Sequence, residues 1–270
     1  MTGATPLSKA SRDTTPTRRV VLLGASNLTR AFPTVVAAAQ RMWDEPLEIM
    51  AAMGHGRSYG QDSAVLGRKI SGIFSCALWQ DLQARPHLPT AALVTDIGND
   101  LVYGVPIHQI LEWVTRCLDR LAEAGASTIV TELPIASLQS LSEARFQFFR
   151  WLFFPRRTLT LDEVRSLAGA LNDELLELCR KRKIPTISAE KSWYGLDPIH
   201  LKRRSHRHAW PALLAAWRAA QEPVMLRRGS VWLSAYLSCL TPFEQSLFGV
   251  RRQTAQPCGR LADGTTISLY

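Results

Sequence analysis

The chain has 270 residues, is 46% apolar and 20% charged, and carries a formal net charge of +9 at pH 7. That apolar content excludes a disordered polymer and is enough for one α/β domain with extensions. The positive charge is spread in short runs such as Arg156-Arg157, Arg180-Lys181-Arg182-Lys183 and Lys202-Arg203-Arg204. These read as solvated helix ends rather than a nucleic-acid-binding stripe, so no specific nucleic acid is expected and at most a weak attraction to acidic surfaces.

Residues 1–17 are rich in Ser, Thr and Pro and lack the apolar stretch of a secretory signal, so a disordered tail and a cytoplasmic location are expected. No run reaches the length of a membrane-spanning helix. The five cysteines form no C-x-x-C pair and are odd in number, which points to reduced, mostly core thiols.

In chain order, Val20-Val21-Leu22-Leu23 suits a buried parallel strand, and Gly24 lets the backbone turn directly after it. Ser26 then lies at the strand's carboxyl end, where open α/β sheets bind ligands. A simpler reading makes Ser26 or Asn27 the cap of the next helix. That helix is expected over Leu28–Met42, with Pro33 in its first turn. Leu47–Met53 is a second strand, running into the glycine-rich loop Gly54–Gly60. Helical character over Val65–Gln83 precedes a third strand, Ala91–Ile97, and the loop Gly98-Asn99-Asp100.

Ile107–Ala124 is an amphipathic helix closed by Gly125, and Thr128–Leu133 is a fourth strand stopped by Pro134. The aromatic passage Phe146–Phe154 follows, then a long helix over Thr160–Lys183 with acidic residues in its first turn and basic ones in its last. Ile184–Ser188 is strand five, the loop Ala189–Ile199 leads to His200, and Arg204–Ala220 is a final helix. Beyond Pro223 the alternation stops, although Leu261–Ile267 resembles a hairpin with an Asp263-Gly264 turn.

Alternating strands and helices imply a three-layer α/β sandwich with a five-stranded, mostly parallel sheet. The expected division is a tail over 1–17, an α/β domain over 18–222, and an extension over 223–270 packed on the core or serving as a lid. On such a sheet four loops converge at one edge, bringing Ser26, Gly56, Asn99, Asp197 and His200 together. Acyl transfer needs a nucleophile, a base, a group to orient the base, and donors for the oxyanion, and these residue types match.

The four blocks Gly24-Ala25-Ser26, Gly56-Arg57-Ser58, Gly98-Asn99-Asp100 and Asp197-Pro198-Ile199-His200, in this order over about Val20–Ala220, resemble those of the SGNH (GDSL-type) hydrolases. The chain departs from that pattern at Ala25, where the family usually has Asp, and at Asn27, where an aliphatic residue is common. The resemblance implies a flavodoxin-like fold and a serine hydrolase that cleaves carboxylic esters through an acyl-enzyme. It implies Ser26 as nucleophile, His200 as base and Asp197 as its orienting acid. The Ser26 and Gly56 N–H groups and the Asn99 amide would make the oxyanion hole, each donor being worth about 3–4 kcal/mol in the transition state. It implies no cofactor and no metal, with a small-molecule ester as partner.

Other readings coexist with this one. Gly56-Arg57-Ser58-Tyr59-Gly60 also spells the G-x-S-x-G nucleophile elbow, which would make Ser58 the nucleophile. An acyltransferase would use the same acyl-enzyme, and a non-catalytic binder of lipid or nucleic acid would use only the basic surface. His55 and Asn27 adjoin the site and are candidates for substrate contact, Asp100 for support of its loop. His206 and His208 have no third ligand at metal spacing. The passage Phe146–Phe154 and the apolar tail suit a lid, an acyl pocket, a peripheral membrane contact or additional core.

Overall fold

A computed structural model describes residues 15–65, 68–147, 160–218, 230–247 and 250–270. Strand β1 (Arg18–Leu23) lies at the middle of the sheet, and its pleat sends successive side chains to opposite faces. Val21 and Leu23 join Met50, Val94, Val114 and Leu171 in one apolar cluster. Val20 and Leu22 join Leu28, Phe32, Val35 and Trp210 in the other. Being buried on both sides is why this strand is uniformly apolar rather than alternating.

Parallel neighbours flank it: β2 (Leu47–Ala52), with Val20 opposite Ile49, and β5 (Thr90–Val94), with Val20 opposite Ala91. Beyond β5 lie β6 (Ser127–Thr131) and the two-residue β7 (Thr186–Ile187). Beyond β2 lies a hairpin of β10 (Gly259–Arg260) and β11 (Thr266–Leu269), with β11 parallel to β2 and Ile267 opposite Ile49. The sheet therefore has seven strands, in the order β10-β11-β2-β1-β5-β6-β7, not five. The two additional strands are the expected Asp263-Gly264 hairpin. They extend the central sheet, so this part of the 223–270 extension is sheet edge and not a lid.

Helices α1 (Ser26–Trp43) and α7 (His206–Leu214) cover one face. On the other lie α2 (Leu78–Ala84), α4 (Ile107–Glu123) and α6 (Leu161–Lys181). Ile110, Val114, Leu118 and Leu121 form the buried stripe of α4, each side chain contributing about 1.5–3 kcal/mol on transfer from water. A capping box of Thr160 and Glu163 starts α6.

Because α1 begins at Ser26, Pro33 falls inside the helix and not in its first turn. The expected helix over Val65–Gln83 is helical only at its end. Its first part is a hairpin of β3 (Ser63–Val65) and β4 (Arg68–Ile70), and β4 pairs with β8 (Glu244–Leu247). Those long-range backbone hydrogen bonds override a weak local helical preference. With β9 (Val250–Gln253) they form a second, four-stranded sheet. Helix α8 (Val231–Ser238) packs Leu233 and Leu237 inward and leaves Val231 and Trp232 exposed. Of the aromatic passage, Phe146 is buried against Leu141, Leu161 and Val164, and 148–154 lie outside the described residues.

Candidate active site

The core strand order β2-β1-β5-β6-β7 reverses direction between β1 and β5, the place where loops of a doubly wound sheet part and leave a crevice. β1 ends at Leu23, and a Cβ on Gly24 would lie 2.6 Å from Thr95 Cγ2, so only glycine lets the two strand ends approach. The helix starts at Ser26, and no side chain of the N-cap residue Ala25 caps it. The cap comes from across the crevice instead. Asp96 Oδ2 accepts the N–H groups of Ala25 (2.8 Å), Asn27 (3.1 Å) and Leu28 (3.2 Å). Ser26 and Asn27 are therefore not the caps of this helix.

The imidazole arrives on the loop after β7. An antiparallel bridge between Tyr194 and Leu201, with Lys202 N–H donating to Trp193 O at 2.9 Å, pins the loop at its base. Inside it, Asp197 Oδ1 accepts the N–H groups of Ile199 (3.1 Å) and His200 (3.3 Å), and Asp197 Oδ2 lies 2.5 Å from His200 Nδ1. His200 Nε2 lies 2.8 Å from Ser26 Oγ. A carboxylate only accepts, so Nδ1 carries the proton towards Asp197 and Nε2 offers its lone pair to the serine hydroxyl. Burial of Asp197 favours its neutral form, yet the His200 hydrogen bond and charge and the two loop N–H groups outweigh it and hold the carboxyl below the usual range. Arg30, one turn along α1, places a guanidinium nitrogen 4.0 Å from Asp197 Oδ2.

The loop after β2 supplies the third part. Gly56 has φ +66°, a left-handed conformation that glycine adopts without strain, and its carbonyl accepts the Tyr103 hydroxyl at 2.6 Å. Asn99, first residue of the short helix α3 (Asn99–Val102), donates one amide N–H to Arg57 O at 3.2 Å. This bond ties the two expected oxyanion loops together. Tyr59 is fully buried and donates its hydroxyl to Thr95 O at 2.7 Å, fixing the loop to the end of β5. Arg57, also fully buried, donates to the carbonyls of Ser71 (3.0 Å), Met53 (3.3 Å) and Tyr270, which anchors the loop to the residue after β11.

The remaining residues separate clearly. Ser58 is fully buried, donates its hydroxyl to Asp100, and accepts the N–H groups of Gly60 and Gln61. It has no histidine among those partners and no opening to substrate, so the elbow reading of G-x-S-x-G fails. Asp100 is buried and also accepts the Tyr59 N–H at 2.9 Å, a loop support; burial pushes its carboxyl up, against the pull of these bonds. His55 is exposed at the rim, and partial burial, then the charges of Arg30 and His200, lower its basicity. The Asn27 side chain is engaged internally, through both its amide and its carbonyl. His206 is buried with Nε2 3.2 Å from Leu201 O, while His208 is exposed. Among the described residues no group of three or more His, Cys, Asp or Glu is placed to hold a metal ion.

Sequence reasoning missed Asp96, Tyr59 and Arg57. The available signal for Asp96 was an acidic residue at the carboxyl end of an apolar strand, which the reading of Ala91–Ile97 absorbed into the strand.

The fold is shared with solved esterases. A carbohydrate acetylesterase family member from Sinorhizobium meliloti matches with a TM-score of 0.52 at 15% identity, over 74% of this chain and 96% of the other. The native aryl esterase of M. smegmatis matches with a TM-score of 0.53 at 16% identity, over 75% of this chain and 100% of the other. No family model and no curated protein matches the sequence. The chain thus has the flavodoxin-like fold of the SGNH hydrolases.

Proposed function

We propose that this protein is an SGNH-type serine hydrolase that cleaves carboxylic esters, with Ser26, His200 and Asp197 as its catalytic residues. The carrying observation is the unbroken chain from Ser26 Oγ to His200 Nε2 at 2.8 Å and from His200 Nδ1 to Asp197 Oδ2 at 2.5 Å. In the proposed reaction the Ser26 hydroxyl gives its proton to Nε2 as Oγ attacks the ester carbonyl. The imidazolium formed is stabilised by Asp197 and returns the proton to the departing alkoxide, leaving an acyl-serine. Water then gives a proton to His200 as it attacks the acyl carbon, and the imidazolium returns that proton to Ser26 Oγ as the acid is released. The N–H groups of Ser26 and Gly56 and the second N–H of Asn99 are the donors assigned to the oxyanion. The solved neighbours named as an acetylesterase family member and an aryl esterase support small esters as first substrates.

Nitrophenyl esters of increasing acyl length, tested on wild type, Ser26→Ala and Ser58→Ala, decide the matter. Ser26→Ala should lower kcat by about 10⁴-fold or more, and folded Ser58→Ala should retain turnover. Turnover that survives Ser26→Ala would overturn the assignment.

A further inference from the structure

We propose that Asp96 and Asn27 act together as a positioning clamp that sets both the orientation of the Ser26 peptide and the seat of His200. The inference rests on the reading of Ser26 and His200 as nucleophile and base, and goes beyond it by naming what holds them in register. Neither residue needs to touch substrate for this role.

The first half of the clamp is the Asp96 carboxylate. Its Oδ2 collects the N–H groups on both sides of Ser26, from Ala25, Asn27 and Leu28, and passes over that of Ser26 itself. With its neighbours drawn to one oxygen, the Ser26 peptide is fixed in a single orientation, and its N–H stays outside the set, where a reacting carbonyl oxygen can use it. Asp96 adopts φ +61°, a conformation unfavourable for a residue with a Cβ. Its four side-chain hydrogen bonds over-determine that backbone.

The second half is the Asn27 amide. Its Nδ2 donates to Asp96 Oδ1 at 2.9 Å and to Ile199 O at 2.8 Å, and its Oδ1 accepts the Leu201 N–H at 2.9 Å. Ile199 and Leu201 bracket His200, and Asn27 is bonded in sequence to Ser26. The 2.8 Å separation of Ser26 Oγ from His200 Nε2 is therefore bridged in parallel by the residues adjacent to each. Asn27 and Asp96 also line a small cavity of about 50 Å³ with Tyr194, Ile199 and Trp210, a lining that includes neither Ser26 nor His200. The pair thus borders a space that the reacting groups do not line.

The test compares full-length wild type with Asn27→Asp, Asp96→Asn and the double variant Asp96→Asn/Asn27→Asp, below their melting temperatures. Asn27→Asp is isosteric but sets two acceptors against Asp96 and Ile199 O. It should lower kcat for nitrophenyl acetate about 10²-fold with little change in KM. The double variant restores one N–H···O bond between positions 27 and 96 in the reverse direction, and should recover about tenfold over Asn27→Asp. Proton NMR gives a readout independent of turnover: the downfield Nδ1 proton of His200, hydrogen-bonded to Asp197, should sharpen in wild type and broaden in Asn27→Asp. Asn27→Ala, which removes the same bonds without adding charge, gives a second measurement of the contact if Asn27→Asp does not fold. A folded variant that keeps its kcat, or loses stability alone while the His200 proton is unchanged, overturns the clamp. An inactive wild type whose His200 proton still responds to Asn27 would instead sink the ester-hydrolase reading and leave the clamp standing.

Discussion

Two serines, one after β1 and one after β2, receive opposite roles from their surroundings. Ser26 meets an imidazole, whereas Ser58, fully buried, meets the Asp100 carboxylate and two backbone N–H groups. Ser58→Ala should destabilise by about 1–3 kcal/mol, because Asp100 is left buried with one fewer donor; urea unfolding measures this. Asp197 makes the pH-dependent prediction. Its folded pKa lies below the unfolded one, so its contribution to stability is present above about pH 3.9 and is lost as pH falls through the folded value. The stability difference between wild type and Asp197→Asn should therefore shrink in acid. At neutral pH the same substitution should cost about 10⁴-fold in kcat, since the amide favours the wrong imidazole tautomer. Ser26, Gly56, Asn99, Asp197 and His200 were all legible as candidates, because acyl transfer restricts residue type and a strand's end restricts place. The internal bonds of Asn27 were not legible, because nothing local shows that Ile199 and Leu201 arrive to occupy its amide.

Elements short enough to be decided by distant partners are the ones that departed from expectation. β1, α4 and α6 follow from their own patterns, through double-sided burial, an apolar stripe and a capping box. β3 and β4 do not, since the hairpin they form is held by β4 pairing with β8, which lies far along the chain. The β10-β11 hairpin was legible from its turn, but its seat beside β2 was not. Ile267, fully buried between sheet and helices, tests that seat: Ile267→Ala should lower stability by about 2–5 kcal/mol in denaturant unfolding. Removal of residues 259–270 should lower ester turnover and raise protease sensitivity, because Arg57 would lose the Tyr270 carbonyl and the loop after β2 its anchor. Proteolysis and ester turnover of the shortened chain check this.

Across the whole molecule, the carboxyl-terminal hairpin and the strands that carry the loops of the site belong to one hydrogen-bonded sheet. Far-ultraviolet circular dichroism and tryptophan fluorescence should consequently report coincident urea transitions, with no early release of 259–270. No helix among the described residues is long and apolar enough to cross a membrane. The sequence by itself determined the doubly wound core and the chemical kind of the site, because strand burial and acyl-transfer chemistry both leave marks on local residue choice. Only the tertiary structure decided which serine meets a base, where the last strand docks, and how Asp96 and Asn27 join the two halves of the crevice. Those outcomes depend on contacts between segments far apart in the chain, and a carboxylate or amide carries no local sign of the partner it will find.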